Sequence, residues 1–131
     1  MTTVLQQPRK HDISFYKNGR IDITAGIAKQ LNLQRGDMID ISTGGWKCYL
    51  YVKKRAEQVQ GRNEAIVSPT NKGKTNNFRT YSKTLTDFIF QECESWQNVP
   101  NKSDVLRLFA RKPVSTEYGV SIPLVTHHHD I

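Results

Sequence analysis

Long apolar runs are absent from this 131-residue sequence: the longest is residues 48–52, and that count includes a cysteine and two tyrosines. A helix that spans a membrane needs about 20 apolar residues, so the sequence predicts none. The first eight residues are polar and lack the apolar centre of a secretory signal. We therefore expect a cytoplasmic protein.

Cysteine is scarce as well. The chain has only Cys48 and Cys93, which are too few for a disulfide scaffold and lack metal-ligand spacing. Three consecutive histidines at residues 127–129 lie near the chain end, where we expect a tail and no metal site. With a mass of 15.0 kDa and 37% apolar residues, the chain fits one domain with a modest core.

A complete catalytic motif is also missing. Residues 73–75 match the end of a phosphate-binding P-loop, but the earlier glycine of that motif is Ser68 here, and no helix is predicted to follow. Acidic pairs such as Asp37 and Asp40 have no nucleophile beside them in the sequence. We expect a non-enzymatic protein with no cofactor.

Positive charge is what the chain has in excess. Lys and Arg number 19 against 12 Asp and Glu, which gives a net charge of +7 and a pI near 9.6. Residues 47–83 hold nine of the basic residues and two acidic ones, so this segment alone carries +7. Such an excess favours a polyanionic partner.

Alternation of apolar residues predicts strands in the first third. Residues 13–23 alternate on both sides of Asn18-Gly19, a strong β-hairpin signal. Thr24 is the predicted N-cap of a short helix with Ile27, Ala28 and Leu31 inward. A turn at residues 35–37 precedes predicted strands over residues 38–42 and 46–53.

Later elements are predicted with less local support. We expect a brief strand at residues 65–67, an exposed loop at residues 68–77 and an extended segment at residues 78–81. Ser82 or Thr84 then caps a second helix, with Asp87 completing a capping box from Thr84. Strands are expected over residues 105–111 and 118–125, with Pro113 and Pro123 favouring edge positions.

The first third resembles the swapped-hairpin DNA-binding domain of the AbrB, MazE and SpoVT type. The likeness covers about residues 12–43 and lies in a Gly-Arg hairpin, an Ile-x-Ile strand, a short helix and a Gly-Asp turn, here Lys17, Asn18, Gly19, Arg20, Ile21, Asp22, Ile23, Ile27, Leu31, Leu33, Gly36, Asp37 and Ile39. The sequence departs from it at Thr24, where many members have Pro, and at Ala28, where many have a basic residue.

The resemblance implies a mainly β fold with two short helices (α+β), arranged as a small swapped-hairpin-like barrel in a dimer or an internal pseudo-dimer. We expect an N-terminal arm at residues 1–11, one domain at 12–126 and a tail at 127–131. Residues 12–53 of that domain are swapped-hairpin-like, and residues 54–126 form a β-rich extension with one helix. Duplex DNA in a regulatory or antitoxin-like role is the expected partner, contacted by Lys17, Arg20, Lys29 and Arg35.

The basic middle segment adds a second set of candidates. Further phosphate contacts are expected from Lys53, Lys54, Arg55, Lys72, Lys74 and Arg79. Aromatic residues, Phe78 and Tyr81 among them, are interleaved with these cations. If Tyr49 and Tyr51 share an exposed face with Lys47 and Lys53, single-stranded nucleic acid or RNA is an alternative ligand. A structural or interaction protein of a mobile element or virion is the other alternative.

Overall fold

The computed structural model describes residues 12–45, 47–53, 64–70, 76–97 and 104–126. Along the chain its elements are β1 (Ile13–Tyr16), β2 (Arg20–Ile23), α1 (Ala25–Gln30), β3 (Met38–Gly44), β4 (Lys47–Lys53), β5 (Ser68–Pro69), β6 (Phe78–Tyr81), α2 (Lys83–Gln97), β7 (Val105–Leu108), β8 (Val114–Thr116) and β9 (Gly119–Leu124). The fold is therefore mainly β with two short helices, which confirms the α+β class.

The strands form two antiparallel sheets. One has five strands in the order β5-β6-β2-β1-β7, and the other has four in the order β3-β4-β9-β8. Neither sheet is closed into a barrel. Isolated bridges link the four-stranded sheet to residues just outside strands of the other sheet: Met38 to Ile66, which precedes β5, and Leu124 to Ala110, which follows β7. A closed small barrel and a dimer are finer parts of the sequence expectation, and they belong to the proposals below.

The β1–β2 hairpin confirms the strongest local prediction. Ile13 pairs with Ile23 and Phe15 with Ile21, around a turn in which Gly19 has a φ of +104°. That left-handed conformation suits glycine, and a Cβ there would meet the backbone nitrogen of Lys83 at 3.3 Å. The hairpin therefore turns tightly beneath the start of α2.

A single hydrophobic core collects the inward faces of both sheets and both helices. It includes Ile13, Phe15 and Ile21 from the first sheet and Leu50 and Ile122 from the second, each at most 1% exposed. The helices contribute the buried residues Ile27, Ala28, Leu85, Ile89, Phe90 and Cys93. No helix in the part of the chain that the structure describes is long and apolar enough to cross a membrane.

Helix α1 lies where it was predicted, but Thr24 does not cap it through its side chain. The Thr24 hydroxyl instead donates to the backbone carbonyl of Asp12 at 2.9 Å. This bond ties the start of the helix to the residue before β1. Thr24 therefore occupies the N-cap position, as predicted, but its hydroxyl accepts no hydrogen bond from the helix, so the predicted side-chain cap is wrong.

Helix α2 is capped by Ser82. The Ser82 hydroxyl accepts a hydrogen bond from the Leu85 amide at 3.1 Å and donates to the Glu64 carboxylate at 2.6 Å. The Thr84 amide also donates to Glu64, at 3.2 Å. The predicted capping box between Thr84 and Asp87 is therefore wrong, and Asp87 instead accepts from Lys83 one helical turn before it, at 2.7 Å.

Other predictions after residue 53 need correction. The predicted loop at residues 68–77 is wrong at Ser68 and Pro69, which form β5 and pair with β6. Residues 71–75 of that loop lie outside the described ranges. The predicted strand at residues 65–67 is limited to the bridge at Ile66. The last part of the chain forms three strands where two were predicted.

Pro123 does not occupy an edge strand, since β9 lies between β4 and β8. Its carbonyl accepts from the Arg111 amide at 2.9 Å. In a strand, the nitrogen and carbonyl of one residue face the same side, so the Pro123 nitrogen faces the 111 segment. The β8 pairing ends at Ser121, and the missing N–H of proline therefore breaks no ladder bond.

We predict that Ser82→Ala lowers the free energy of unfolding by about 1–2 kcal/mol, because it removes both the cap and the bond to Glu64. Thr84→Ala is the matched control and should change stability by less than about 0.5 kcal/mol, since Thr84 is exposed and contributes only its amide. Urea unfolding followed by circular dichroism measures both. Equal losses in the two variants would show that Ser82 is not the cap.

Candidate nucleic-acid interface

The outward side of the five-stranded sheet carries the polar residues of its strands. Successive side chains of a strand point to opposite sides, and the apolar residues of β1, β2 and β6 point into the core. The alternate positions therefore face outward. They hold Ser68 and Val105, the partners of Arg79 and Tyr16, together with seven residues that we call the arginine–tyrosine face: Ser14, Tyr16, Arg20, Asp22, Arg79, Tyr81 and Arg107.

The register arranges this face in two rows across the strands. Direct pairs place Arg79 beside Asp22, Asp22 beside Ser14, and Ser14 beside Arg107. We call this the charged row. The second row, which we call the ring row, holds Tyr81, its direct partner Arg20, and Tyr16. The two rows are two residues apart along each strand, or about 7 Å.

Asp22 holds two arginines in place. Its carboxylate accepts from Nη2 of Arg20 at 2.7 Å and from Nε of Arg79 at 2.7 Å. Nε of Arg20 lies 3.2 Å from both carboxylate oxygens. One negative charge thus orients two guanidinium groups, and with Arg107 the face keeps an excess of positive charge.

The ion pairs shift the titration of both partners. Partial burial acts to raise the pKa of Asp22, but the hydrogen bonds and charges of Arg20 and Arg79 outweigh it, and the pKa lies below its ordinary value. The hydrogen bond to Asp22 raises the pKa of Arg20. Asp22 and Arg20 are therefore both charged at neutral pH.

The two tyrosines of the face differ in exposure. Tyr81 is 60% exposed, the largest value among the exposed large hydrophobic residues that the structure describes. Tyr16 is half-buried, and the guanidinium of Arg20 lies over its ring at 4.4 Å from the centroid. The face therefore offers one open ring and one ring covered by a cation.

This arrangement suits a polyanion that also carries flat rings. Guanidinium groups bind phosphate oxygens with two parallel N–H donors, and exposed tyrosine rings stack with bases. The face holds neither a histidine nor a cysteine. Within the described ranges, His, Cys, Asp and Glu form no group of three that could hold a metal ion.

Of the predicted phosphate contacts that lie within the described ranges, the structure brings together Arg20 and Arg79. Lys17 lies in the β1–β2 turn with its ammonium over the ring of Phe90, at 5.6 Å. Lys29 and Arg35 are exposed on α1 and on the turn before β3. Lys53 pairs with Asp40 in the four-stranded sheet at 3.4 Å. The remaining predicted contacts, Lys54, Arg55, Lys72 and Lys74, lie outside the described residues.

Tyr49 and Tyr51 do not form the open face that the sequence suggested. Tyr51 is 5% exposed, because the ring of Tyr118 stacks on it at a centroid distance of 4.7 Å. Its hydroxyl donates to Asp40 at 3.4 Å. Tyr49 is half-buried. Alternation within β4 was predicted correctly, but the hairpin of β8 and β9 covers the side that holds Tyr51.

Sequence reasoning missed Tyr16 and Arg107 and named Tyr81 only as an aromatic neighbour of the cations. A signal for them existed: Tyr16 alternates with Phe15, Tyr81 with Thr80, and Arg107 with Leu106 and Leu108. Alternation shows which side of its strand a residue occupies. It does not show that β6, β2, β1 and β7 are neighbours, which requires long-range pairing.

We predict that Asp22→Asn lowers stability by about 0.5–1 kcal/mol at about pH 7, a modest loss because the three side chains are 28–38% exposed. The pKa of Asp22 is lowered in the folded state. The contribution of its carboxylate to the free energy of unfolding is therefore full above the ordinary pKa of 3.8 and is lost as the pH falls through the lower pKa of the folded state. The stability difference from wild type should therefore shrink towards about pH 2.5.

Urea unfolding across that pH range measures the difference. Glu117→Gln, at an exposed position in the β8–β9 turn, is the control and should leave stability nearly unchanged at both ends of the range. A loss in Asp22→Asn that stays constant with pH would contradict the assignment of the effect to the carboxylate charge.

Comparisons with protein-family models, with curated protein sequences and with solved structures returned no match to this chain. The likeness of residues 12–43 to swapped-hairpin domains therefore stays a prediction from sequence. What can be said of function depends on the geometry of the arginine–tyrosine face.

Proposed function

We propose that this chain is a non-catalytic nucleic-acid-binding protein that contacts its ligand through the arginine–tyrosine face. The observation that carries the proposal is the placement of three arginines and two tyrosines on one outward sheet surface. Arg20 and Arg79 reach it from adjacent strands, and Arg107 from the edge strand β7. The charge of the face and the net charge of +7 for the chain both favour a polyanion.

The arginines supply affinity by replacing counterions on phosphates. Each neutralised phosphate releases bound cations, so affinity falls with the logarithm of the salt concentration. Asp22 reduces the net charge of the face, but it also fixes two guanidinium groups before the ligand arrives. Groups ordered in advance lose less entropy on binding.

The biological role that we propose is the one implied by the swapped-hairpin resemblance, a transcriptional regulator or antitoxin-like protein in the cytoplasm. In that role Lys17, Lys29 and Arg35 would add contacts outside the arginine–tyrosine face. Lys29 and Arg35 are exposed, which supports this extension.

The architectural part of the proposal is a small barrel, formed in a homodimer or in an internal pseudo-dimer. The two isolated bridges from the four-stranded sheet support barrel-like closure. The order strand, Thr or Ser, helix occurs twice, as β2, Thr24, α1 and as β6, Ser82, α2, and it supports the pseudo-dimer. The two copies differ in the orientation of one side chain. Ile23, directly before Thr24, is buried, whereas Tyr81, directly before Ser82, is exposed.

A second candidate is a structural or interaction protein of a mobile element or virion. Exposed apolar residues in the β8–β9 hairpin favour it: Val114 is 42% exposed and Val120 is 52% exposed. Such a protein would assemble with itself or with a protein partner through this hairpin and would not need nucleic acid.

We predict that wild type binds fluorescein-labelled oligonucleotides with an affinity that falls steeply with salt. Arg107→Ala should weaken binding at every salt concentration and reduce the slope of log affinity against log salt by about 0.7–0.9, the value for one phosphate contact. Lys47→Ala removes one positive charge from the four-stranded sheet and should leave that slope unchanged. Fluorescence anisotropy titrations at several salt concentrations measure the slopes.

Two results would count against the proposal. Absence of binding to single-stranded or duplex oligonucleotides at low salt would remove it. Self-assembly in size-exclusion chromatography without any response to nucleic acid would support the structural candidate instead.

A further inference from the structure

We infer that the ligand of the arginine–tyrosine face is a single-stranded polynucleotide, with one base stacked on Tyr81. This inference rests on the proposed function and specifies the ligand of this face, in place of the duplex DNA that the swapped-hairpin resemblance implies. It depends on the exposure of the Tyr81 ring, on the two-row arrangement and on the width of the sheet.

Tyr81 presents its ring on the open side of the sheet. Its strand, β6, lies inside the sheet between β5 and β2, where a ring on the inward side would be buried. The ring points outward instead and is 60% exposed, so most of its apolar area does not contribute to the core. Aromatic side chains on an open sheet surface are the usual platforms for unpaired bases.

The ring row offers more than one flat surface. Tyr81, Arg20 and Tyr16 come from three adjacent strands, which are about 4.8 Å apart. The guanidinium of Arg20 already lies over the Tyr16 ring at 4.4 Å, and planar guanidinium groups also stack with bases. Two neighbouring bases can therefore find a ring and a guanidinium side by side.

The charged row lies where a sugar–phosphate backbone would pass. Arg79 and Arg107 are three strands apart, with Asp22 and Ser14 between them. By strand spacing this is about 14 Å, and the charged row is about 7 Å from the ring row. A single strand that crosses the sheet can place bases on the ring row and phosphates at both arginines.

A duplex fits this face less well. Five strands span about 19 Å between the outer strand axes, whereas the major groove of B-DNA is about 12 Å wide and admits a helix or a two-stranded ribbon. A flat sheet would therefore meet only the outer phosphates of a duplex. The bases, stacked inside, could not reach Tyr81, and its ring would add nothing to the affinity.

The test compares Tyr81→Ala with Tyr81→Phe. Binding of labelled oligothymidine, oligouridine and a DNA duplex of the same length is measured by fluorescence anisotropy. Tyr81→Ala should weaken binding of single strands about 5- to 150-fold, the range for loss of one stacked base. Tyr81→Phe keeps the ring and should restore most of that affinity. Duplex binding should be weaker in wild type and equal in all variants.

Two further measurements separate stacking from a loss of structure or charge. Tyr118→Ala removes a tyrosine from the four-stranded sheet and should not change single-strand affinity. Tyr81→Ala should leave the salt dependence unchanged, because it removes no charge. Circular dichroism establishes that each variant is folded. The oligothymidine and oligouridine arms show whether DNA or RNA is preferred.

The failures of the inference and of the proposed function are distinguishable. If wild type binds duplex and single strands equally, and Tyr81→Ala changes neither, the inference is wrong and nucleic-acid binding stands. If wild type binds none of the three oligonucleotides, the proposed function is wrong as well. If Tyr81→Phe binds as poorly as Tyr81→Ala, the hydroxyl matters more than the ring, and stacking is overturned.

Discussion

Burial of the apolar side chains of β1 and β2 against the core determines where the charges of this protein lie. Ile13, Phe15, Ile21 and Ile23 are each at most 1% exposed. Because side chains alternate along a strand, a slip of one residue would bring charged groups into the core and apolar ones into water. The register that protects the core thereby fixes Arg20 and the other outward residues on one surface.

This constraint gives Asp22 its role. Direct cross-strand pairing with Arg79 and a spacing of two residues from Arg20 bring both guanidinium groups to one carboxylate. On the inner strands β2 and β6 these ion pairs hold both guanidinium groups on one outward surface.

Local signals made the first third of the fold predictable. The hairpin, α1 and strands β3 and β4 follow from alternation and helical spacing within short windows, and each lies close to its predicted place. The β6–β2 and β1–β7 pairings join residues far apart in sequence. No short window contains that information, which explains why Arg20 and Arg79 were predicted as contacts without their common face.

The predictions of a side-chain cap at Thr24 and of an exposed Tyr51 were wrong for a related reason. Thr24 and Ser82 both satisfy the local rule for an N-cap, but their hydroxyls bond Asp12 and Glu64, twelve and eighteen residues away. Only at Ser82 is the cap bond present as well: its hydroxyl donates to Glu64 and accepts from the Leu85 amide. Tyr51 was predicted to be exposed, but β9 pairs beside β4 and brings Tyr118 over its ring.

Tyrosine rings have different neighbours in the two sheets. In the four-stranded sheet Tyr118 covers Tyr51, and the pair buries one of its rings at the cost of exposing the other. In the five-stranded sheet a cation, Arg20, covers Tyr16, and Tyr81 beside it remains open. A ring covered by a ring stabilises the fold. A ring beside a guanidinium that Asp22 orients leaves a stacking surface and a positive charge open to a ligand, and this is the ground on which we propose the five-stranded sheet as the functional surface.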